Sequence, residues 1–337
     1  MGAEGDDRIH RRSCQLSAVS SQLPPAPVLS YRSMQRVARP GAVAAVLACL
    51  AVSACSPRQM GLNRMASALT ETAGSYATDS DPEFVRLAAP STLKMVEMLL
   101  DQQPRSEDLL LTACSGFTQY AYAFLQVDAE IAPPADAPRA EELRARARAM
   151  YARARAYCWR GLEQRHPGIR GAIASDAQQA VAGLQRADLG LMYWLAASWG
   201  GELNLSSDQL LRLAELVAIR VLLARTLVLD EGWQEGALHE ALIALDGMGP
   251  LLGGSAARAR EHFEKAVALS GGYSAFAYVT LASTVSVSAR DRLEFERLLR
   301  AALAIDVDAK PSVRLANLIA QRRARALLAQ VNVLFRP

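Results

Sequence analysis

Lysine is nearly missing: Lys94, Lys265 and Lys310 are the only three, and arginine supplies the rest of the 37 basic residues that face 34 acidic ones. The formal net charge of +3 is no excess of the kind that neutralises a phosphate backbone, so a nucleic-acid partner is not expected. Histidine is as scarce, with four in 337 residues, and the motifs of side-chain chemistry fail in turn. His239-Glu240 opens like a zinc-protease helix, but the fifth position is Ile243, so the second imidazole is missing. No nucleophile elbow, dinucleotide fingerprint or phosphate loop occurs, and none of His166, His239 and His262 has a cysteine at ligand spacing. These absences argue against an enzyme and against any metal or cofactor. Alternating β-branched residues are nearly absent too, which leaves helix as the regular structure.

Apolar runs of spanning length are also lacking. The run Ala42 to Ala54 has 13 uncharged residues, short of the ~20 that cross a hydrocarbon core. Behind Arg36 and Arg39 it reads as the apolar region of a signal peptide. Val52-Ser53-Ala54-Cys55 resembles the lipobox of bacterial lipoproteins, in which the cysteine is acylated and becomes the first mature residue. Counted from Met34 rather than Met1, the charged region has ordinary length. The expected organisation is an untranslated or disordered leader at 1–33, a lipoprotein signal peptide at 34–54, a lipidated tether at 55–62 and one α-helical domain at 63–335. The alternative is a short buried helix with an incidental cysteine. Acyl chains contribute ~0.8 kcal/mol per buried CH₂, and two of them anchor a protein stably.

Cys14 and Cys49 would leave with the leader, and Cys55 would carry lipid, so Cys114 and Cys158 remain as candidates for a disulfide in an oxidising compartment. Register speaks against the bridge. Flush antiparallel helices around the loop Asp128 to Pro138 would leave the two ~10 Å out of step, beyond the ~7 Å Cα limit, which favours free buried thiols.

The full chain is 51% hydrophobic, apolar enough for a core, and its remainder is punctuated into helices. Leu143, Ala147, Met150, Tyr151, Ala154, Tyr157, Cys158 and Leu162 recur at three- and four-residue steps and form one stripe. Arginines 144, 146, 148, 153, 155 and 160 mostly fill the other face, which reads as a solvated surface because Glu141, Glu142 and Glu163 share it; a membrane- or RNA-binding helix is the alternative. Breaks are expected at Asp79 to Pro82, Pro104, Pro133-Pro134, His166 to Gly168, Asn204 to Asp208, Gly247 to Gly254, Ser270 to Gly272 and Lys310-Pro311.

Three helix ends repeat: LLARTLVLD (Leu222 to Asp230), HFEKAVALS (His262 to Ser270) and RLLRAALAID (Arg297 to Asp306), with small residues at Thr226, Ala266 and Ala302. Ala259, Phe263 and Ala266 match the spacing of the second helix of a tetratricopeptide repeat. The fold class is therefore all-α, a tetratricopeptide-like solenoid of helical hairpins, in which stacked neighbours bury what one hairpin cannot.

Four segments, SGFTQYAYAFLQ (Ser115 to Gln126), LMYWLAASWG (Leu191 to Gly200), GPLLGGSAARAREHFEKAVALSGG (Gly249 to Gly272) and LIAQRRARALLAQ (Leu318 to Gln330), resemble the TatT family, the T component of tetratricopeptide-repeat-associated TRAP transporters. The resemblance implies a periplasm-facing lipoprotein that self-associates, with a trimer expected. It would work beside the periplasmic solute-binding protein of a TRAP system and help take up a small apolar or carboxylate-bearing solute. Gly271, Glu231 and Val307 stand where the tetratricopeptide consensus has proline, which argues against a regular open groove. Ser56 after the cysteine, rather than aspartate, favours the outer membrane over the inner.

Within those segments Tyr120 and Phe124 share a helix face while Tyr122 points elsewhere, and Tyr193, Trp194 and Trp199 form a second aromatic group. They read as an aromatic-lined pocket or as ordinary interhelical packing, the commoner use. Arg322, Arg323 and Arg325 read as a partner- or carboxylate-facing site or, more commonly, as a solvated helix face. Two function classes stay open: an accessory binding module for solute uptake, favoured by a narrow apolar channel through the helices, and a scaffold for cell-envelope assembly with no ligand of its own, favoured by an open polar groove.

Overall fold

Pro82 follows Asp81, whose carboxylate accepts from the backbone N–H groups of Glu83 and Phe84 at 2.9 and 3.1 Å and so starts the first long helix, α1 (Pro82–Gln102). The computed structural model describes residues 74–206 and 212–336, together with Arg64 and Ala68. The expected leader at 1–33, the signal peptide at 34–54, Cys55 and the tether lie outside the described residues.

The described chain is all helix, with no strand among its residues. After α1 come α2 (Glu107–Ala121), a π-turn at Tyr122–Gln126, α3 (Val127–Ile131), α4 (Ala137–Arg165), α5 (Ile169–Ser175), α6 (Ala177–Ala182), α7 (Leu189–Asn204) and α8 (Leu213–Asp230). The second half holds α9 (Ala237–Asp246), α10 (Ala256–Ser270), α11 (Ala275–Leu281) with a π-turn at Ala282–Ser286, α12 (Arg292–Ala304), α13 (Arg314–Ala329) and α14 (Val331–Leu334). Most breaks fall where Pro, Gly or a capping Asp or Ser was expected. Among those that the sequence reading omitted are Asp176, between α5 and α6, and Asp291, whose carboxylate accepts from Glu294 N at 2.9 Å.

The stripe on α4 is buried as its spacing requires: Leu143, Ala147, Tyr151, Ala154, Cys158 and Leu162 all face inward against α2 and α7. Burying one such leucine contributes about 2 kcal/mol. The opposite face is less solvated than its composition suggests. Arg153 pairs with Glu97 and lies 5.0 Å above the Phe117 ring, and Arg155 pairs with Glu202 while lying 5.6 Å above Trp199.

Cys114 of α2 and Cys158 of α4 are joined in a disulfide with their Cα atoms 5.2 Å apart, which corrects the expectation of free thiols. The helices are not flush about their loop, because the π-turn, α3 and a 3-10 turn at Pro134–Asp136 separate α2 from α4. The repeated small residues Thr226, Ala266 and Ala302 are each fully buried. At Ala266 the approach is close: a Cβ on Gly236, whose φ is +103°, would stand 3.1 Å from the Ala266 carbonyl.

Hairpins pack on their sequence neighbours, α2 on α4, α4 on α7, α7 on α8 and α9 on α10. The run also returns on itself. α13 contacts α1 and α3, where Ile319 is buried with Val85, Phe124 and Val127. Asp128 of α3 binds both Arg86 of α1 and Arg322 of α13, and Arg314 Nη1 donates to the Thr78 carbonyl at 2.7 Å.

Asp188, buried at the start of α7, accepts from Gln185 N at 2.8 Å, from Arg165 Nη1 at 3.1 Å and from His166 Nε2 at 2.9 Å. Burial alone would raise its pKa, but these three partners outweigh that and hold the carboxyl below the usual range. A group depressed on folding stabilises above its unfolded pKa and ceases to do so as pH falls through the folded value. Asp188→Asn is therefore expected to cost about 2 kcal/mol at neutral pH. The difference should vanish in acid below that depressed pKa, as read from urea midpoints across a pH series.

Candidate functional site

A cavity of about 1240 Å³ lies among α1, α2, α7, α9, α11 and α13, and both π-turns border it. Each π-turn carries an extra residue through the helical turn and so re-aims side chains, a deformation that recurs at binding sites. Here Tyr122 joins Tyr120 and Phe124 on the cavity wall, although α-helical spacing sent it elsewhere. The Tyr120 and Phe124 rings lie 5.6 Å apart, and Tyr122 meets Phe276 edge-on at 5.4 Å. On the opposite wall Tyr193 packs edge-on against Trp194 at 4.9 Å.

Of the residues singled out in the sequence, Tyr120, Phe124, Tyr193, Trp194 and Arg323 border the cavity. Three do not. Trp199 is buried in the core, where its ring meets Trp159 at 5.7 Å and its Nε1 donates to Glu215. Arg322 is engaged by Asp128 and the Ala123 carbonyl, and Arg325 is exposed on α13.

The polar residues of the cavity form two groups. In the first, Arg323 Nε donates to Glu130 Oε2 at 2.6 Å, Gln126 Nε2 donates to Glu130 Oε1 at 3.0 Å, and Tyr151 Oη donates to Gln126 Oε1 at 2.7 Å. Burial would lower the Arg323 pKa, but Glu130 and Tyr122 beside it hold it above the usual value. Tyr122 Oη lies against this group without meeting hydrogen-bond geometry, and burial raises its pKa. Gly201 makes room for Tyr151: a Cβ there would stand 2.6 Å from the phenol ring. The second group is Glu240 of α9, which accepts from the Ser274 hydroxyl and whose pKa burial pushes up to about 7.

Sequence reasoning missed Glu130, Gln126, Tyr151 and, as a cavity residue, Glu240. The incomplete zinc motif did pass over Glu240, but for the wrong partner. His239 instead turns to His262 of α10, Nδ1 to Nδ1 at 2.9 Å, so one ring donates and the other accepts. Among the described residues no three His, Cys, Asp or Glu side chains are arranged to hold a metal ion.

The fold and cavity define an all-helical module with a large aromatic-walled cavity that is partly open to solvent. The family described as TRAP transporter T-component matches residues 78–335, and the chain belongs to that family. It is thus an accessory component of a TRAP transport system, in a family of transporter accessories rather than of enzymes. A protein of Treponema pallidum (strain Nichols), described as uncharacterized, is 27% identical over 265 residues, covering 77% of this chain and 82% of its own length. No helix among the described residues is long and apolar enough to cross a membrane.

Proposed function

We propose that the chain is a lipoprotein held to the periplasmic side of the envelope through Cys55, at the outer membrane by preference, with residues 63–335 as one helical domain. In this reading it works beside a periplasmic solute-binding protein and receives a small, mainly apolar solute in its cavity. The observation that carries the reading is the chamber itself, bordered by Tyr120, Phe124, Tyr193 and Trp194 and flanked by α13 where it returns to α1 and α3. The disulfide supports an oxidising compartment, where such bridges persist. The outward face of α1 carries Phe84, Leu87, Met95 and Met98, an apolar stripe suited to a partner or to self-association as a trimer. An envelope scaffold would have no use for an aromatic-walled cavity of this size.

The expected result is that the protein purified from detergent-solubilised membranes brings down a TRAP solute-binding protein. Ala197→Trp, which puts an indole into the cavity wall, should lower the affinity for short-chain alcohols by roughly tenfold or more while leaving the fold intact by circular dichroism. Recovery with envelope-assembly factors alone, and unchanged alcohol binding in the variant, would return weight to the scaffold.

A further inference from the structure

The described residues that border the cavity include two cations, Arg323 and Lys310, and three carboxyl groups, Glu130, Glu235 and Glu240. Four of the five are matched: Arg323 pairs with Glu130 and Lys310 with Glu235. Glu240 remains, with a hydrogen bond from the Ser274 hydroxyl and no cation to face. The other charged groups near α9 are committed elsewhere. Arg220 of α8 and Arg258 of α10 both bind Asp246 at the end of α9, and Lys265 of α10 binds Glu231. The side chain is half-buried in the cavity wall without a counter-ion, and the desolvation there raises its pKa to about 7 against the opposing pull of the Ser274 hydrogen bond.

The surroundings of Glu240 are aromatic. Tyr193, Tyr122 and Phe276 border the same cavity as Glu240, and Phe276 lies two residues beyond the Ser274 that binds it. The Tyr193 hydroxyl has a raised pKa, first through burial and further through the negative charge of Glu240, whereas Tyr122 answers chiefly to burial and to the Arg323 and Glu130 pair. Tyr193 brings Trp194 with it, and Tyr122 brings Phe276. An acidic oxygen between aromatic walls is the arrangement that holds an ammonium group, because the carboxylate supplies the charge and the ring faces supply cation–π attraction. Arg323, the arginine that a carboxylate-bearing solute would need, already spends its Nε on Glu130.

We propose, resting on the cavity reading above, that Glu240 is the head-group anchor of the chamber and selects a small apolar solute carrying an ammonium group rather than a carboxylate. Binding brings the positive nitrogen to the Glu240 carboxylate beside Tyr193 and Tyr122, while the apolar part of the solute lies along Trp194 and Phe124. A zwitterionic phospholipid fits less well, since its phosphate would find no unpaired cation on the cavity wall.

Calorimetric titration of the full chain with octylamine, octanol and octanoate tests this, in detergent-free buffer near pH ~8, where the amine is protonated and Glu240 is mostly ionised. Octylamine should bind roughly tenfold or more tighter than octanol, the size of one hydrogen bond to a charged group, and octanoate should bind weakest. Glu240→Gln should bring the amine down to the level of the alcohol while changing octanol binding far less than octylamine binding, which separates loss of the charge from collapse of the cavity. Equal affinities for the three compounds, or a preference for octanoate, would overturn the head-group assignment and leave the apolar chamber standing. An amine preference that survives in Glu240→Gln would overturn it as well. Failure of all three to bind would overturn both the assignment and the cavity reading.

Discussion

Removing the disulfide, as Cys114→Ala with Cys158→Ala, is expected to lower the folding free energy by about 4 kcal/mol, because the bridge closes a loop between residues 44 apart and the denatured chain regains that freedom. Alanine is the suitable replacement, since both positions are fully buried and serine would add hydroxyl groups to satisfy there. The bridge ties α2 to α4, the two helices that carry much of the first half's core, and Cys158 also packs against Ser198 of α7. A thermal scan should show the midpoint falling by on the order of 10 °C. Unaltered protein in strong reductant should behave alike, and identical midpoints with and without the bridge would refute the effect.

Arg323→Met is expected to cost about 3 to 5 kcal/mol, because it leaves the Glu130 carboxylate in the cavity wall without its cation. The side chains are 12% and 28% exposed, so water screens the pair far less than it screens a surface ion pair. Pairing the change with Glu130→Gln removes both charges and should recover at least half of the loss; urea denaturation of the two single variants and the double variant gives the coupling directly. A single variant as stable as the unaltered chain would mean that the group is solvated like an ordinary surface pair.

What the sequence disclosed was local. Asp81, Ser106 and Ser255 cap helices through their own following residues, and Gly271 stops α10 in the left-handed conformation, so most breaks can be read from a few neighbouring letters. The α4 stripe and the small residues at Thr226, Ala266 and Ala302 were legible for the same reason. The π-turns were not, because one extra residue in a helical turn barely disturbs a 3.6-residue pattern, and Tyr122 was consequently aimed away from the wall it joins. Five of the eight proposed surface residues reached the cavity. Trp199, Arg322 and Arg325 did not, since period alone cannot tell which neighbour a helix face meets. Glu240 carried no signal of its own: its unpaired state emerges only once Arg323 and Lys310 are seen to be taken.

The seam where α13 meets α1 and α3 joins partners far apart along the chain. Arg322 reaches back 194 residues to Asp128, and Arg314 reaches back 236 to Thr78. Contacts of that separation must overcome loop-closure entropy before they return any stabilisation, so they form late and slow the overall rate. Hairpins such as α9 with α10 assemble early from local contacts, and the cavity gains its α13 wall only when the last long helix docks on the first.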